Sequence, residues 1–287
     1  MTRSSIRRTR FALAARFHWL LQSDARHLQI AALACLLAFN IGFIDFGAKP
    51  LPSALAIISA LAAQIACTRI FALSRLDLRS PLITGLSLSL LLRSDALWLH
   101  AAAGAIAIAS KFLLRIDGKH LWNPAGFAII VLLATSADVW ISPGQWGAGV
   151  WLVSALAFTA ILVLRAARRV DIAFFFLGSH AALLFARAAW LGDPLAIPLH
   201  QLQSGSLLIF SFFMISDPRT APDSRTGRFL FAFAVAASAH WLAFFMQTRP
   251  ALYFALIALS PLVLVIDKAL PAQRFTWTPR ALEGASQ

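Results

Sequence analysis

Two short stretches of this chain combine residue types that can receive a charged or electron-rich ligand. The first is GKHLWNPAGF (118–127). Asn followed by Pro ahead of an apolar run starts a helix: Asn123 caps it, and Pro124 takes the first position, where a missing N–H is no loss. The unpaired N–H groups and positive dipole end of such a helix attract an anion or an electron-rich ring. Gly118 permits the turn leading in, while Lys119 and His120 supply a cation and a donor beside it. The second stretch is MISDPRTAPDSRTGR (214–228). Here Ser216 or Asp217 can cap, and Pro218 and Pro222 each stop a helix from running through. The pattern predicts a second helix start after Asp217. Arg219, Arg225 and Arg228 could hold a phosphate, although topology alone also places bases in such a loop.

These motifs hang on a strongly apolar frame. The chain has 287 residues, 60% hydrophobic and 13% charged, with a mean hydropathy of +0.75. No charged side chain occurs from 229 to 248, and only Asp138 between Lys119 and Arg165. Ten apolar segments can be drawn: 27–44, 52–73, 81–92, 96–114, 120–135, 146–164, 172–191, 205–216, 228–246 and 251–267. Assigning the intervening loops alternately to two sides puts every Lys and Arg except Lys49, Arg93, Arg187 and Arg249 on the side of the N-terminus. That bias is the positive-inside pattern. It predicts an all-α polytopic membrane protein in a bacterial inner membrane, with both termini cytoplasmic. No length is left for a soluble catalytic domain.

Segments 81–92 and 205–216 are short, roughly 18 Å as helices against an apolar layer of about 30 Å. Each is third in a set of five. The chain therefore divides into halves 27–135 and 146–267, and an odd number of crossings per half makes them inverted repeats. Paired short segments at matching places point to a binding site near the midplane. Gly85, Ser87 and Ser89 would line one such site, with glycine letting backbone approach a ligand. Segment 96–114 contains WLHAAAGAIAIAS, whose small residues predict close packing on a neighbour.

The flanks and remaining residues set limits. Residues 1–26 are Arg-rich and acid-poor, as in a transit peptide, but Phe11, Phe17 and Trp19 among the bases suit a retained, interfacial cytoplasmic helix contacting membrane lipids. Residues 268–287 form a cytoplasmic tail. The net charge of +13 is explained by basic loops facing anionic headgroups, so nucleic-acid binding is not expected. Cys35 and Cys67 lie in apolar segments as packing residues. No nucleotide-binding glycine motif, nucleophile elbow or zinc-ligand spacing is present, leaving no catalytic residue to nominate. Any hydride chemistry would fall to a partner subunit.

TGLSLSLLL (84–92), GKHLWNPAGF and SDPRTAPDSRTGR, in this order, resemble a membrane-protein family. It includes the D subunit of the Rnf electron-transport complex and the B subunit of the sodium-translocating NADH:quinone reductase. Gly85, Asn123, Pro124, Asp217, Pro218, Thr220, Pro222, Gly227 and Arg228 match motif positions of that family. The resemblance implies ten helices in two inverted repeats, a flavin (FMN or riboflavin), partner electron-transport subunits and a quinone. One departure matters. Pump subunits carry a Ser-Gly-Ala-Thr motif between segments five and six, where the Thr takes a covalent FMN. Here that loop reads TSADVWISPGQWGAGVW (135–151), with Thr135 its only threonine, so a noncovalent flavin is the expectation.

Two other readings stay open. A urea-channel-like scaffold of the same architecture would pass a small solute without redox chemistry, and fold alone does not decide between them. The acids favour no proton-coupled carrier: Asp45, Asp95, Asp117, Asp138, Asp171 and Asp267 sit at segment ends rather than mid-span. A b-type haem is the third reading. His180 and His240 lie mid-segment and His100 near a segment start, where paired imidazoles could ligate iron, although isolated intramembrane histidines more often bridge helices.

Overall fold

A computed structural model describes residues 24–43, 48–142 and 169–275. The basic segment up to residue 23, segment 146–164 and the tail beyond 275 lie outside the described residues. Helices dominate. In the first half they are α1 (Ala25–Phe43), α2 (Pro50–Ile70), α3 (Arg79–Leu91), α4 (Leu97–Leu113) and α5 (Pro124–Thr135). The second half has α6 (Val170–Leu191), α7 (Ala196–Leu202), α8 (Gly205–Ile209), α9 (Arg225–Phe244), α10 (Ala251–Leu259) and α11 (Leu262–Ala269). One π-helical turn, Phe210–Met214, continues α8.

Among the described residues four helices, α1, α2, α6 and α9, are long and apolar enough to cross a membrane. Taken as one broken helix, bent by 50° at Ser260-Pro261, where the proline removes a backbone donor, the pair α10–α11 is a fifth candidate. Helices α4, α5 and α8 with its π turn are apolar but shorter. At most 39% of any long apolar stretch is covered by protein. Trp190 is 87% exposed and Ile70 75%, and in water so much bare apolar surface would drive association. The chain is a membrane protein, and these surfaces face lipid.

Helix α2 shows how such helices pack. Its buried residues, Ser53, Ala56, Ala60, Gln64 and Thr68, recur every three or four positions and are small or polar. Large residues such as Ile58 and Leu51 point outward. Lipid is as apolar as leucine, so helix association rests on close backbone contact and hydrogen bonds. The small-residue run of α4 meets this face as its composition predicts. A Cβ on Gly104 would fall 2.5 Å from the Ala56 carbonyl oxygen and 2.8 Å from Ala60 N. Ser59 Oγ also donates to the Ala101 carbonyl at 2.5 Å. Among the described residues the two most extensive helix contacts are α2 with α4 and α6 with α9.

Short strands tie the helix ends. Leu92–Ser94 (β1) pairs antiparallel with Val139–Ile141 (β4). Arg115–Ile116 (β2) pairs with Lys119–His120 (β3) across Asp117 and Gly118, whose φ of 51° and 74° give the tight turn that Gly118 predicts.

Gly104→Ala should lower the thermal midpoint of detergent-solubilised protein, and Gly104→Leu more so, at a cost of about 1–3 kcal/mol or above. Gly178→Ala provides the contrast, because a Cβ there meets nothing within 4 Å. Unchanged melting of Gly104→Leu would show that α2 and α4 are not in backbone contact.

Candidate functional site

Each helix end near the centre of the structure needs partners for its terminal backbone groups, and these partners outline a cleft. Asn123 caps α5 as its sequence predicts: Oδ1 accepts from Gly126 N at 3.0 Å, and Pro124 occupies the first helical position. The Asn123 side chain also reaches the second half. Its Nδ2 donates to the Met214 carbonyl at 3.5 Å and to Asp217 Oδ2 at 3.4 Å. The π turn closes with Ile215 N donating to the Phe210 carbonyl at 3.0 Å. It is backed by Phe176 and Tyr253 against Phe210. π turns recur at functional sites, and this one and the residues after it bring Phe212, Phe213, Ser216 and Asp217 to the cleft that the start of α5 also lines.

The helix start expected after Asp217 is not found there. Asp217 Oδ1 instead accepts from Arg219 N at 3.0 Å, capping a turn. With Pro218 and Pro222 blocking continuation, the next helix, α9, begins at Arg225, capped by Ser224 through Gly227 N at 3.0 Å. Gly227 is there for space: a Cβ would meet Ile266 Cγ2 at 2.6 Å and Ser224 Oγ at 2.7 Å.

The cleft is lined by Ser80, Ile83, Thr84 and Ser87 of α3, Lys111 of α4, His120, Asn123, Pro124 and Ala125 at the start of α5, Phe212 to Arg219 in part, and Arg26 and Gln29 of α1. Of the residues singled out from sequence, Ser87, His120, Asn123, Pro124, Ser216, Asp217, Pro218 and Arg219 come together there. The others do not. Gly85 faces α2, where a Cβ would lie 2.8 Å from Ile57 Cα. Ser89 donates to the Gly85 carbonyl at 2.8 Å and the Ser53 carbonyl at 3.2 Å. Gly118 shapes the β2–β3 turn, and Thr220 donates to the Asp217 carbonyl at 3.4 Å.

Lys119 and Arg228 are engaged elsewhere. Lys119 Nζ pairs with Asp267 at 2.5 Å and Asp223 at 3.3 Å. Arg228 grips Asp171 at 2.7 Å and donates to the Asp223 carbonyl at 2.7 Å, with Pro222 contributing a carbonyl at 3.5 Å. Asp223 also faces Arg169 at 3.6 Å. This network joins the β2–β3 hairpin to the 217–224 turns, α9 and α11.

Lys111 was not foreseen as a site residue. Its ammonium is buried and donates to Gln64 Oε1 at 3.2 Å and Ser80 Oγ at 2.9 Å. Gln64 within an apolar segment was the available signal, because an intramembrane amide implies a polar partner. Beside Lys111, His120 is buried with an Nδ1 that has no hydrogen-bond partner among the described residues. Burial pushes the Asp217 carboxyl up, against the opposing pull of the Arg219 N–H and the nearby cations. At the mouth, Arg26 and Arg79 bridge Asp24 and Asp77. Burial opposes ionisation of Asp77, but hydrogen bonds from Arg79 and the Arg26 charge outweigh it and hold it at about 2. The cleft combines a buried cation, a helix N-terminus, hydroxyls and two phenyl rings. Such a set can receive a planar ligand carrying negative charge.

A second cleft lies at the other end of α3, lined by Lys49, Ser53, Ser89, Arg93, Asp95, His100, Trp140 and Ser142. Arg93 there donates to the Ser89, Leu90 and Leu92 carbonyls at 2.8–3.2 Å. Thr135 ends α5 with its hydroxyl on the Val131 carbonyl at 2.8 Å. His180 and His240 sit on the packed helices α6 and α9, stacked on Phe176 and tilted against Phe244 respectively. No cluster of three or more potential metal-ligating side chains occurs among the described residues.

Lys119→Met leaves two neighbouring carboxylates without their shared cation, a loss of about 3–5 kcal/mol for a buried pair. The variant should melt well below wild type in detergent, with Asp267→Asn milder because Asp223 still faces Lys119. Equal melting of Lys119→Met and wild type would contradict the network.

Residues 139–276 match the model of a protein family described as NQR2, RnfD, RnfE. No curated protein matches the chain.

Proposed function

We propose that the chain, whose residues 139–276 match the NQR2, RnfD, RnfE family model, is a member of that family of Rnf- and Nqr-type electron-transport complex subunits, and that it is a membrane electron-transport subunit binding a flavin noncovalently in the α3–α5 cleft. The observation that carries the proposal is the meeting of the two motif stretches across Asn123 Nδ2 and Asp217 Oδ2, beside buried Lys111. These residues fit a flavin. Phe212 and Phe213 bring aromatic rings to the lining, and His120 Nδ1 has no hydrogen-bond partner among the described residues. The positive end of the α5 dipole and the Lys111 ammonium favour negative charge on the ligand. A bound flavin would supply reversible one- and two-electron chemistry. The protein would hold and orient it and favour its reduced, anionic form.

The topology behind this proposal is ten segments in two inverted repeats, with both termini in the cytoplasm of a bacterium and the chain in its inner membrane. Two features support it. The dominant contacts, α2 with α4 and α6 with α9, fall on segments two and four and on seven and nine, matching places in the two halves. Short helices α3 and α8 are likewise the third of each five. Partner subunits would supply and withdraw electrons, with a quinone as one acceptor.

The second cleft favours one alternative. Polar clefts at both ends of α3, a short helix, are also what a solute channel or transporter on this scaffold would have.

The visible spectrum of gently purified protein, before and after dithionite and again on the acid-precipitated pellet, separates these. The expected result is a flavin band that bleaches on reduction and washes out in acid. A flavin retained in the pellet would make the link covalent. A Soret band would point to haem at His180 and His240, and a colourless protein to the channel or transporter.

A further inference from the structure

Helix α10 runs into a residue that cannot complete it. Pro261 has no N–H, so the Ile257 carbonyl four residues before it lacks the donor that a continuous helix would provide. Ser260 Oγ meanwhile turns back to the Leu256 carbonyl at 2.7 Å, a bond that bends helices. In an apolar layer a carbonyl without a donor is costly. The Trp122 indole supplies one: Nε1 donates to the Ile257 carbonyl at 2.8 Å, from 135 residues earlier in the chain.

Trp122 belongs to a short strap, residues 119–123, whose side chains are divided between two tasks. Lys119 pairs with Asp267 on α11, beyond the break, at 2.5 Å, and Trp122 holds Ile257 on α10, before it. His120 and Asn123 line the cleft. The strap thus grips both arms of the bent pair with two residues and builds the cleft wall with two others. It has little slack. Lys119 and His120 are paired in the β2–β3 hairpin, Leu121 N donates to the Leu114 carbonyl at 3.2 Å, and Asn123 is held as the cap of α5. The arm beyond the break is held as well: Asp267 Oδ1 accepts from Asp223 N at 2.8 Å, and Ile266 Cγ2 lies 2.6 Å from where a Cβ on Gly227 would fall.

We propose that Trp122 is a positioning residue. By supplying the donor that Pro261 withholds, it sets the bend between α10 and α11, and through the strap that bend sets where His120 and Asn123 stand in the cleft. The coupling holds whatever ligand the cleft takes.

The test reads bend and cleft separately, in lipid nanodiscs and in a Cys35→Ala/Cys67→Ala background. Spin labels on Val265→Cys in α11 and Ile58→Cys in α2, both exposed positions, report the bend by double electron–electron resonance. Ile83→Cys on the cleft lining reports the cleft by its rate of reaction with a membrane-impermeant maleimide. Trp122→Phe keeps a ring beside Phe127 and removes the donor. It should shift the label distance and raise the thiol rate about 5-fold, the ratio that one hydrogen bond commands. Pro261→Ala, outside both strap and cleft lining, should do the same. The double variant should match Pro261→Ala alone, because the restored backbone N–H already serves Ile257, whereas a Trp122 that merely filled space would add its own effect. An unchanged label distance in Trp122→Phe, a Pro261→Ala that moves the labels without changing the thiol rate, or effects that simply add would overturn the proposal. Should Trp122→Phe not fold, Pro261→Ala decides the coupling alone.

Discussion

A helix that stops short inside an apolar layer exposes backbone groups that lipid cannot satisfy. Most of the described architecture follows from that constraint. Helix α3 ends in three carbonyls taken up by Arg93. Helix α8 starts on the Ser204 hydroxyl and passes into a π turn, where Ser211 and, just beyond it, Ser216 return hydrogen bonds to the preceding carbonyls. Helix α5 starts on Asn123, α9 on Ser224, and Arg115 reaches back to the Lys111 carbonyl at the end of α4. Each solution brings a polar side chain into an apolar setting, and where several coincide a cleft forms.

The cleft is therefore a consequence of shortness rather than an addition to the fold. Short α3 and the α8 π turn stop before filling the space a full span would occupy, and the Asn123 cap bridges the gap between them. Lys111 and Gln64 take the same space from α4 and α2. Their approach needs α2 and α4 in backbone contact, which Gly104, Ala56 and Ala60 permit. Packing of small residues on one side thereby sets the position of the buried charge on the other. The ion-pair network around Lys119 and Asp223 fixes the hairpin that carries His120, so cleft geometry and loop electrostatics are coupled.

What could be read from sequence was local. Asn123-Pro124 as a cap, Gly118 as a turn and the small residues of α4 as a packing face all depend on a few adjacent residues. What could not be read was long-range. Lys119 looked like a ligand cation because nothing near it in sequence shows that Asp267, 148 residues away, is its partner. Lys111 looked like one more base at a segment end, since the positive-inside pattern accounts for such residues without regard to where they point. Asp217 was read as a helix cap because the Asx turn it forms uses the same side-chain geometry; only the two following prolines distinguish the outcomes. Gly85 was given to a ligand, whereas the same missing Cβ admits the backbone of α2.

The claim on which the rest depends is that the cleft between α3, α5 and the π turn holds the redox group. Electron density of the protein purified in nanodiscs and supplied with FMN tests it most directly. The account predicts planar density beside Phe212 and Phe213. Planar density in the cleft of Arg93 and Trp140, or a first cleft closed by its own side chains in the flavin-loaded protein, would contradict it.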